Sequence, residues 1–485
     1  MLFDVKDLRK SIEHEYIGFR ANTTNVKPVH LANGMFRGLL NEANDTTTRL
    51  FRFVFSSSKK DGTIPKGHEL DRVYQWLLDE GRIDESVALI SVAQFRPTLL
   101  KIVAADKPSA VSTGGMESYS AGYASFVSND HIDQEAGEFL SAWLSRQAPK
   151  FVGLLMDAIA AETDPITVLA HPLFGGSIPA KMQIENVEGI RCFQDSCPAH
   201  VSLGMQGLAK AADQLSEQLK RHPNKLVRLR MAVTLGAFLI VRYMADLEYL
   251  NVGSENQRRP VFLLDLLNNE RSPIRLASQH SYILVCQSIT RFYTWMFADY
   301  LRLQGRSRDD LEQDYPAYDR PRMKQVDEQI CREVWQEAIN RAKIEMDIYS
   351  VYGQAVYDIL ALLAEATPIQ YLRQIGIRCG LFWPPYNLQP TKHLAPRQDM
   401  LEVLVRSVAN PGELLEIATL QDRLWDTFGI VIGGRPNDLS LLLDRGIYQA
   451  DDRALEENQA AFAQKLNDLN FARLLADGVL EVQVG

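Results

Sequence analysis

Three side chains able to hold a soft metal ion stand close together in RCFQDSCPAH: Cys192, Cys197 and His200. Thiolates and an imidazole at Cys-x4-Cys-x2-His spacing are the donors of a structural zinc, which takes four ligands. His171 or His222 would have to complete the set, and no spacing compels either. A turn around Pro198 carrying two free thiols accounts for the segment more simply. Zinc is the one cofactor these residues suggest, and the expectation is that the chain uses none.

Other catalytic sets are incomplete. The sequence holds no G-x-x-x-x-G-K-[ST], no G-x-S-x-G and no H-E-x-x-H. Gly114-Gly115 has no lysine after it, and Gly433-Gly434 runs into Arg435-Pro436, a turn rather than a helix start. Ser56 and Lys59 have S-x-x-K spacing in a polar loop, where nothing would lower the lysine pKa. Asp130, His131 and Asp133 suit a polar helix start, with acids answering the helix dipole. The alternative is that acids of the 130–165 region serve a divergent metal-dependent nuclease.

The more informative chemistry is basic. LKRHPNKLVRLR (219–230) carries Lys220, Arg221, Lys225, Arg228 and Arg230 with His222 between them, and Arg258, Arg259, Arg271 and Arg275 follow. On a helix, Lys225 and Arg228 share a face, as do Arg221 and Lys225. Cations grouped this way neutralise phosphates and bind a nucleic-acid backbone in a salt-sensitive manner. The competing expectation is a solvated helix face answered by acids such as Asp265 and Glu270.

Overall charge restricts that role. The formal net charge is −9. A protein that grips nucleic acid over its whole surface is basic. Residues 201–300 carry +4 and residues 401–485 carry −7, so any phosphate site is local. Five cysteines, an odd and widely spaced number, do not make a disulfide framework. Cys286 and Cys331 fit apolar helical patterns. No secretory or transit pattern opens the chain, and the longest apolar run, 231–241, is too short to span a bilayer. A cytoplasmic location follows as the expectation.

The elements that must position these residues read as mainly α: a multi-domain helical body with few short strands and a C-terminal winged-helix-like module. The divisions are a mixed α/β region over 1–106, a Ser/Gly-rich loop or linker over 107–131 and a mixed helical region over 132–200. A helical core with the basic residues covers 201–323, and a long helix with a Pro-rich connector covers 324–398. The module spans 399–485. A strand is expected near residue 49 and another over 181–190. Leu208, Ala212, Leu215 and Leu219 form one helical stripe. Ser272-Pro273 opens a helix reaching about 304. One helix covers 324–366 and stops before Thr367-Pro368. Aromatics such as Tyr282, Phe292, Tyr293, Tyr352 and Tyr357 are expected in the core.

In the last 85 residues, a helix over 399–408 precedes Asn410-Pro411, where Glu413 completes a capping box and opens a helix ending at Gly429. Asp438 and Asp452 cap two more helices, and Asp477-Gly478 turns a terminal hairpin. The helix that would read DNA begins with Asp451, Asp452, Glu456 and Glu457, acids that repel phosphate. That composition points the module at protein. The expected function is a non-catalytic subunit of a bacterial multi-protein DNA-processing or anti-phage defence complex. Its partners would be other protein subunits, such as an ATPase or helicase, with nucleic-acid backbone and no membrane. A protein-only scaffold is the third alternative.

Overall fold

The computed structural model describes residues 2–22, 26–40, 133–160, 199–251, 258–313, 315–317, 325–385, 392–474 and 480–484, apart from 268 and 365, and a few positions between 71 and 91. Within these the chain is mainly helical, and no helix is long and apolar enough to cross a membrane. The order is β1 (Leu2–Asp4), α1 (Val5–Tyr16), α2 (Pro28–Leu40), α3 (Ala136–Gln147), α4 (Pro149–Ala160), α5 (Ala199–Leu219) and α6 (Lys225–Leu250). Then come β2 (Phe262–Leu263), α7 (Pro273–Leu303), α8 (Arg308–Gln313), β3 (Tyr315–Ala317), α9 (Gln325–Ala342), α10 (Ile348–Leu363) and α11 (Pro368–Arg378). The chain ends with β4 (Phe382–Trp383), β5 (His393–Leu394), α12 (Gln398–Arg406), β6 (Leu414–Glu416), α13 (Ile417–Phe428), β7 (Ile430–Val431), α14 (Asp438–Asp444), α15 (Asp452–Asp468), β8 (Ala472–Leu474) and β9 (Leu480–Gln483). The 107–131 segment, the strands expected near 49 and over 181–190, and the Asp477-Gly478 turn lie outside the described residues.

Contacts divide the chain into two compact units: residues 25–185 with 215–236, and residues 1–24 with 186–214 and 237–485. In the first, α2 and α3 meet backbone to backbone. A Cβ on Gly137 would run into Leu31 and Met35, and one on Gly34 into Asp133. Asp133 is fully buried there, and its carboxylate accepts the Gly137 N–H at 2.9 Å, closing the α3 N-terminus. Phe36, Trp143, Phe151 and Leu229 fill this unit's interior, each side chain worth about 1.5–3 kcal/mol on burial.

In the second unit, Ser272 caps α7 by accepting the Ile274 N–H at 3.2 Å, with proline at the first helical position. The helix packs antiparallel on α10, where Gly353 lets the backbones touch at Thr294 and Ala298. Tyr282, Phe292, Tyr293, Phe297, Tyr352 and Tyr357 are buried, as their spacing implies. Arg9 of α1 is buried too. It donates to Glu13 at 2.8 Å and to the Ala366 carbonyl at 2.7 Å, while Tyr293 donates to Glu13 at 2.8 Å. This network pairs two charges that burial would otherwise make costly, through Glu13 Oε1 alone, with Oε2 buried and in no hydrogen bond among the described residues.

A narrow β-strip crosses the second unit. β7 pairs parallel with β2, Leu264 bridges Leu394, and β5 pairs antiparallel with β4. Buried serines of α7 hold it: Ser281 donates to the Val261 carbonyl at 2.6 Å, and Ser278 accepts the Leu394 N–H at 2.9 Å. From the other side, buried Asn458 of α15 donates to the Leu264 and Ile432 carbonyls at 2.8 and 2.6 Å and accepts the Leu266 N–H at 2.9 Å. The last residues form a three-stranded antiparallel sheet in the order β6-β9-β8, accompanied by α12 to α15.

Several local expectations change. Residues 324–366 form two helices, not one, because Asp347 accepts the Tyr349 N–H at 3.2 Å and starts α10 afresh. Thr367-Pro368 starts a helix as well as ending one: Thr367 and Gln370 form a capping box for α11. Only half of the Asn410–Glu413 box is made: the Asn410 N–H donates to Glu413 at 3.0 Å, but the Glu413 N–H goes to the Asn410 backbone carbonyl at 3.1 Å and not to its side chain. It closes a turn through left-handed Gly412 and leads into β6, and the helix starts only at Ile417. The Pro-rich 377–400 segment supplies β4 and β5.

Candidate polyanion-binding site

The basic stretch of 219–230 straddles the turn between α5 and α6. His222 and Asn224 shape that turn. The Asn224 N–H donates to His222 Nδ1 at 3.2 Å, and Asn224 Oδ1 accepts the Val227 N–H at 3.2 Å, capping α6. No acid stands in the first turn of α6. Its positive end therefore carries Lys225 and Arg228 without the local carboxylate that normally answers a helix dipole.

The answer comes from α4, inside the same unit. Asp157 lies 3.8 Å from Lys225 Nζ and 3.6 Å from an Arg228 guanidinium nitrogen. One turn back on α5, Glu217 accepts from Lys220 and from Lys150 of α4, both at 2.9 Å. Hydrogen bonds from Lys220 and Lys150 hold the Glu217 carboxyl below its usual range. Lys150, Lys220 and Lys225 remain well exposed, at 55%, 56% and 38%, and Arg221 stands exposed in the turn. Lys150, Lys220, Lys225 and Arg228 thus surround two carboxylates, and Arg221 follows Lys220 in the turn. Lys150 was not visible as part of this group in the sequence, because about seventy residues separate it from the turn.

The rest of the basic series is distributed differently. Arg230 is exposed, but at about 100° per residue it lies roughly 160° around α6 from Arg228. Arg258, Arg259, Arg271 and Arg275 belong to the other unit. Arg258 donates to the Asp444 carbonyl at 2.9 Å. Arg259 caps the α13 C-terminus through the Thr427 carbonyl at 3.0 Å and pairs with Asp246 at 3.1 Å. Fully buried Arg242 shares Asp246 and reaches the Phe428 and Pro260 carbonyls at 3.1 and 3.0 Å. Burial would raise the Asp246 carboxyl, but the Arg242 and Arg259 guanidiniums outweigh it and hold the group below its usual range. Arg275 lies 3.6 Å from Glu270, and Arg271 is exposed. Of the nine candidate positions, Lys220, Arg221, Lys225 and Arg228 stand at the α5–α6 turn, Arg258, Arg259 and Arg275 pair with acids within the other unit, and Arg230 and Arg271 are exposed.

Cys192 and Cys197 lie outside the described residues, as do Asp130 and His131, and His200 is described only as part of α5. Among the described residues, no group of three or more His, Cys, Asp or Glu side chains could hold a metal ion. Compared with known proteins, the chain matches no family model, no curated protein and no solved structure.

Proposed function

We propose that the chain is a non-catalytic subunit of a multi-protein DNA-processing or anti-phage defence complex, and that it grips nucleic-acid backbone through the α5–α6 turn. The observation that carries this reading is the positive end of α6, loaded with cations and joined by Lys150 and Lys220, and paired among the described residues with Glu217 and Asp157. Such a focus of positive charge attracts a polyanion without reading its sequence. Arg258, Arg259, Arg271 and Arg275 have no part in this grip.

The C-terminal residues are a winged-helix-like module that docks a protein partner. The element order α12, β6, α13, α14, α15, β8, β9 and the strand order β6-β9-β8 support the module. Exposed Asp452, Glu456 and Glu457 on α15 support protein over DNA as its partner.

Fluorescence anisotropy with a labelled duplex at low salt tests the grip. Arg221→Glu with Lys225→Glu should weaken binding by roughly tenfold or more, because log affinity follows the number of phosphates neutralised. Unchanged affinity in this variant refutes the reading.

A further inference from the structure

A cleft of about 430 Å³ opens in the second unit between α5, the end of α12 and the last turns of α13. Its volume lies in the lower part of the roughly 300–1,000 Å³ span of small-molecule sites. Two of its polar side chains are already committed. Arg423 donates to both Glu413 carboxylate oxygens at 2.7 Å and to the Val408 carbonyl at 3.1 Å. Gln214 donates to the Ala409 carbonyl at 2.8 Å and to Asn410 Oδ1 at 2.9 Å. These bonds fix the cleft wall and commit the Arg423 guanidinium and the Gln214 amide N–H groups, leaving Gln214 Oε1 as an acceptor facing the cleft.

Two charged groups are uncommitted. Lys210 on α5 is exposed and makes no ion pair among the described residues. The Asp426 carboxylate on α13 is likewise exposed and unpaired, although its backbone carbonyl accepts from Arg259. The two line one cleft with opposite charges and do not reach each other. A molecule carrying an anion at one end and a cation at the other satisfies both at once, and a simple anion or cation satisfies one. The α5 wall of the cleft includes Gly207, where an added Cβ would meet nothing within 4 Å.

We infer that this cleft binds a zwitterionic small molecule of amino-acid or dipeptide size, its carboxylate at Lys210 and its ammonium at Asp426. The inference is independent of the polyanion site.

Isothermal titration of the full chain with the twenty amino acids and glycylglycine tests it, with acetate, phosphate and methylammonium as singly charged controls. At least one zwitterion should bind more tightly than about 1 mM, a free energy near −4 kcal/mol. The three controls should not. Lys210→Ala and Asp426→Ala should each weaken the bound zwitterion at least tenfold. Gly207→Leu should abolish binding by filling the cleft while leaving the melting temperature unchanged. The inference is overturned if no zwitterion binds the wild type, if a control ion binds as well, or if binding survives in either charge variant.

Discussion

Neutralising two carboxylates should make this protein bind nucleic acid more strongly, not less. Glu217 and Asp157 occupy the cations of the α5–α6 turn, at 2.9 Å from Lys150 and Lys220 and at 3.6–3.8 Å from Arg228 and Lys225. Five cations against two carboxylates leave a net +3, and Glu217→Gln with Asp157→Asn raises it to +5. Each phosphate neutralised adds about 0.9 to the slope of log affinity against log salt on duplex DNA. If each net charge engages one phosphate, the slope steepens from roughly 2.7 to roughly 4.5. Between 200 and 50 mM salt, wild type should then gain about 40-fold in affinity and the variant about 500-fold. The assay is fluorescence anisotropy with a short duplex across that salt range. Lys150, Lys220, Lys225 and Asp157 are exposed, and ion pairs with exposed partners contribute only about 0–1 kcal/mol, so the fold should survive the change, with the largest cost at Arg228, which is 14% exposed. An equal or shallower salt slope in the variant would show that the turn does not face phosphate.

Two further outcomes concern the scaffold. Asn458→Ala removes three buried hydrogen bonds, to Leu264, Ile432 and Leu266. At about 1–3 kcal/mol for each group left unsatisfied, the unit containing it should lose roughly 3–9 kcal/mol in urea unfolding, and a loss below 1 kcal/mol would contradict the role given to this side chain. The Arg423 hydrogen bond brings the Glu413 carboxyl down from 4.5 to about 2, so this pair stabilises the fold fully above pH 4.5 and loses its effect as pH falls toward 2. The stability difference between wild type and Arg423→Met, read from urea midpoints, should therefore shrink between pH 5 and pH 2.5; a constant difference would refute the coupling.

Local signals were legible where one residue decides the outcome. Ser272-Pro273 opens α7, and left-handed Gly429 ends α13. The α15 cap sits one residue before its expected place, at Asp451 rather than Asp452, because Asp451 accepts the Ala454 N–H at 2.7 Å. The strands flanking Asp477-Gly478 pair antiparallel, as a hairpin requires. Other features depended on distant partners. Lys343 to Met346 contain no glycine or proline, yet the helix breaks there and α10 folds back on α9. The β-strip has strands of two residues, too short to show a period of two, and takes its hydrogen bonds from α7 serines and Asn458. The basic cluster was half legible. Its α5–α6 part is contiguous in sequence, and Glu217 stands only three residues before Lys220, but Lys150 and Asp157 become neighbours only through folding. Arg259 reads as a phosphate ligand from its charge alone, and its actual work, capping α13, depends on a carbonyl 168 residues away.

The pairing of β7 with β2 has a consequence for how this protein can change. Residues 258–267 lie far upstream of the C-terminal sheet, yet they supply the strand beside β7, the carbonyl held by Asn458 and the arginine that caps α13. Cut away at residue 398, the tail would leave with a bare strand edge and would strip the same from what remains. Such a segment is not a detachable cassette that recombination can trade between proteins. It depends on residues 258–267 for its fold, and those residues are held in turn by Ser281 of α7.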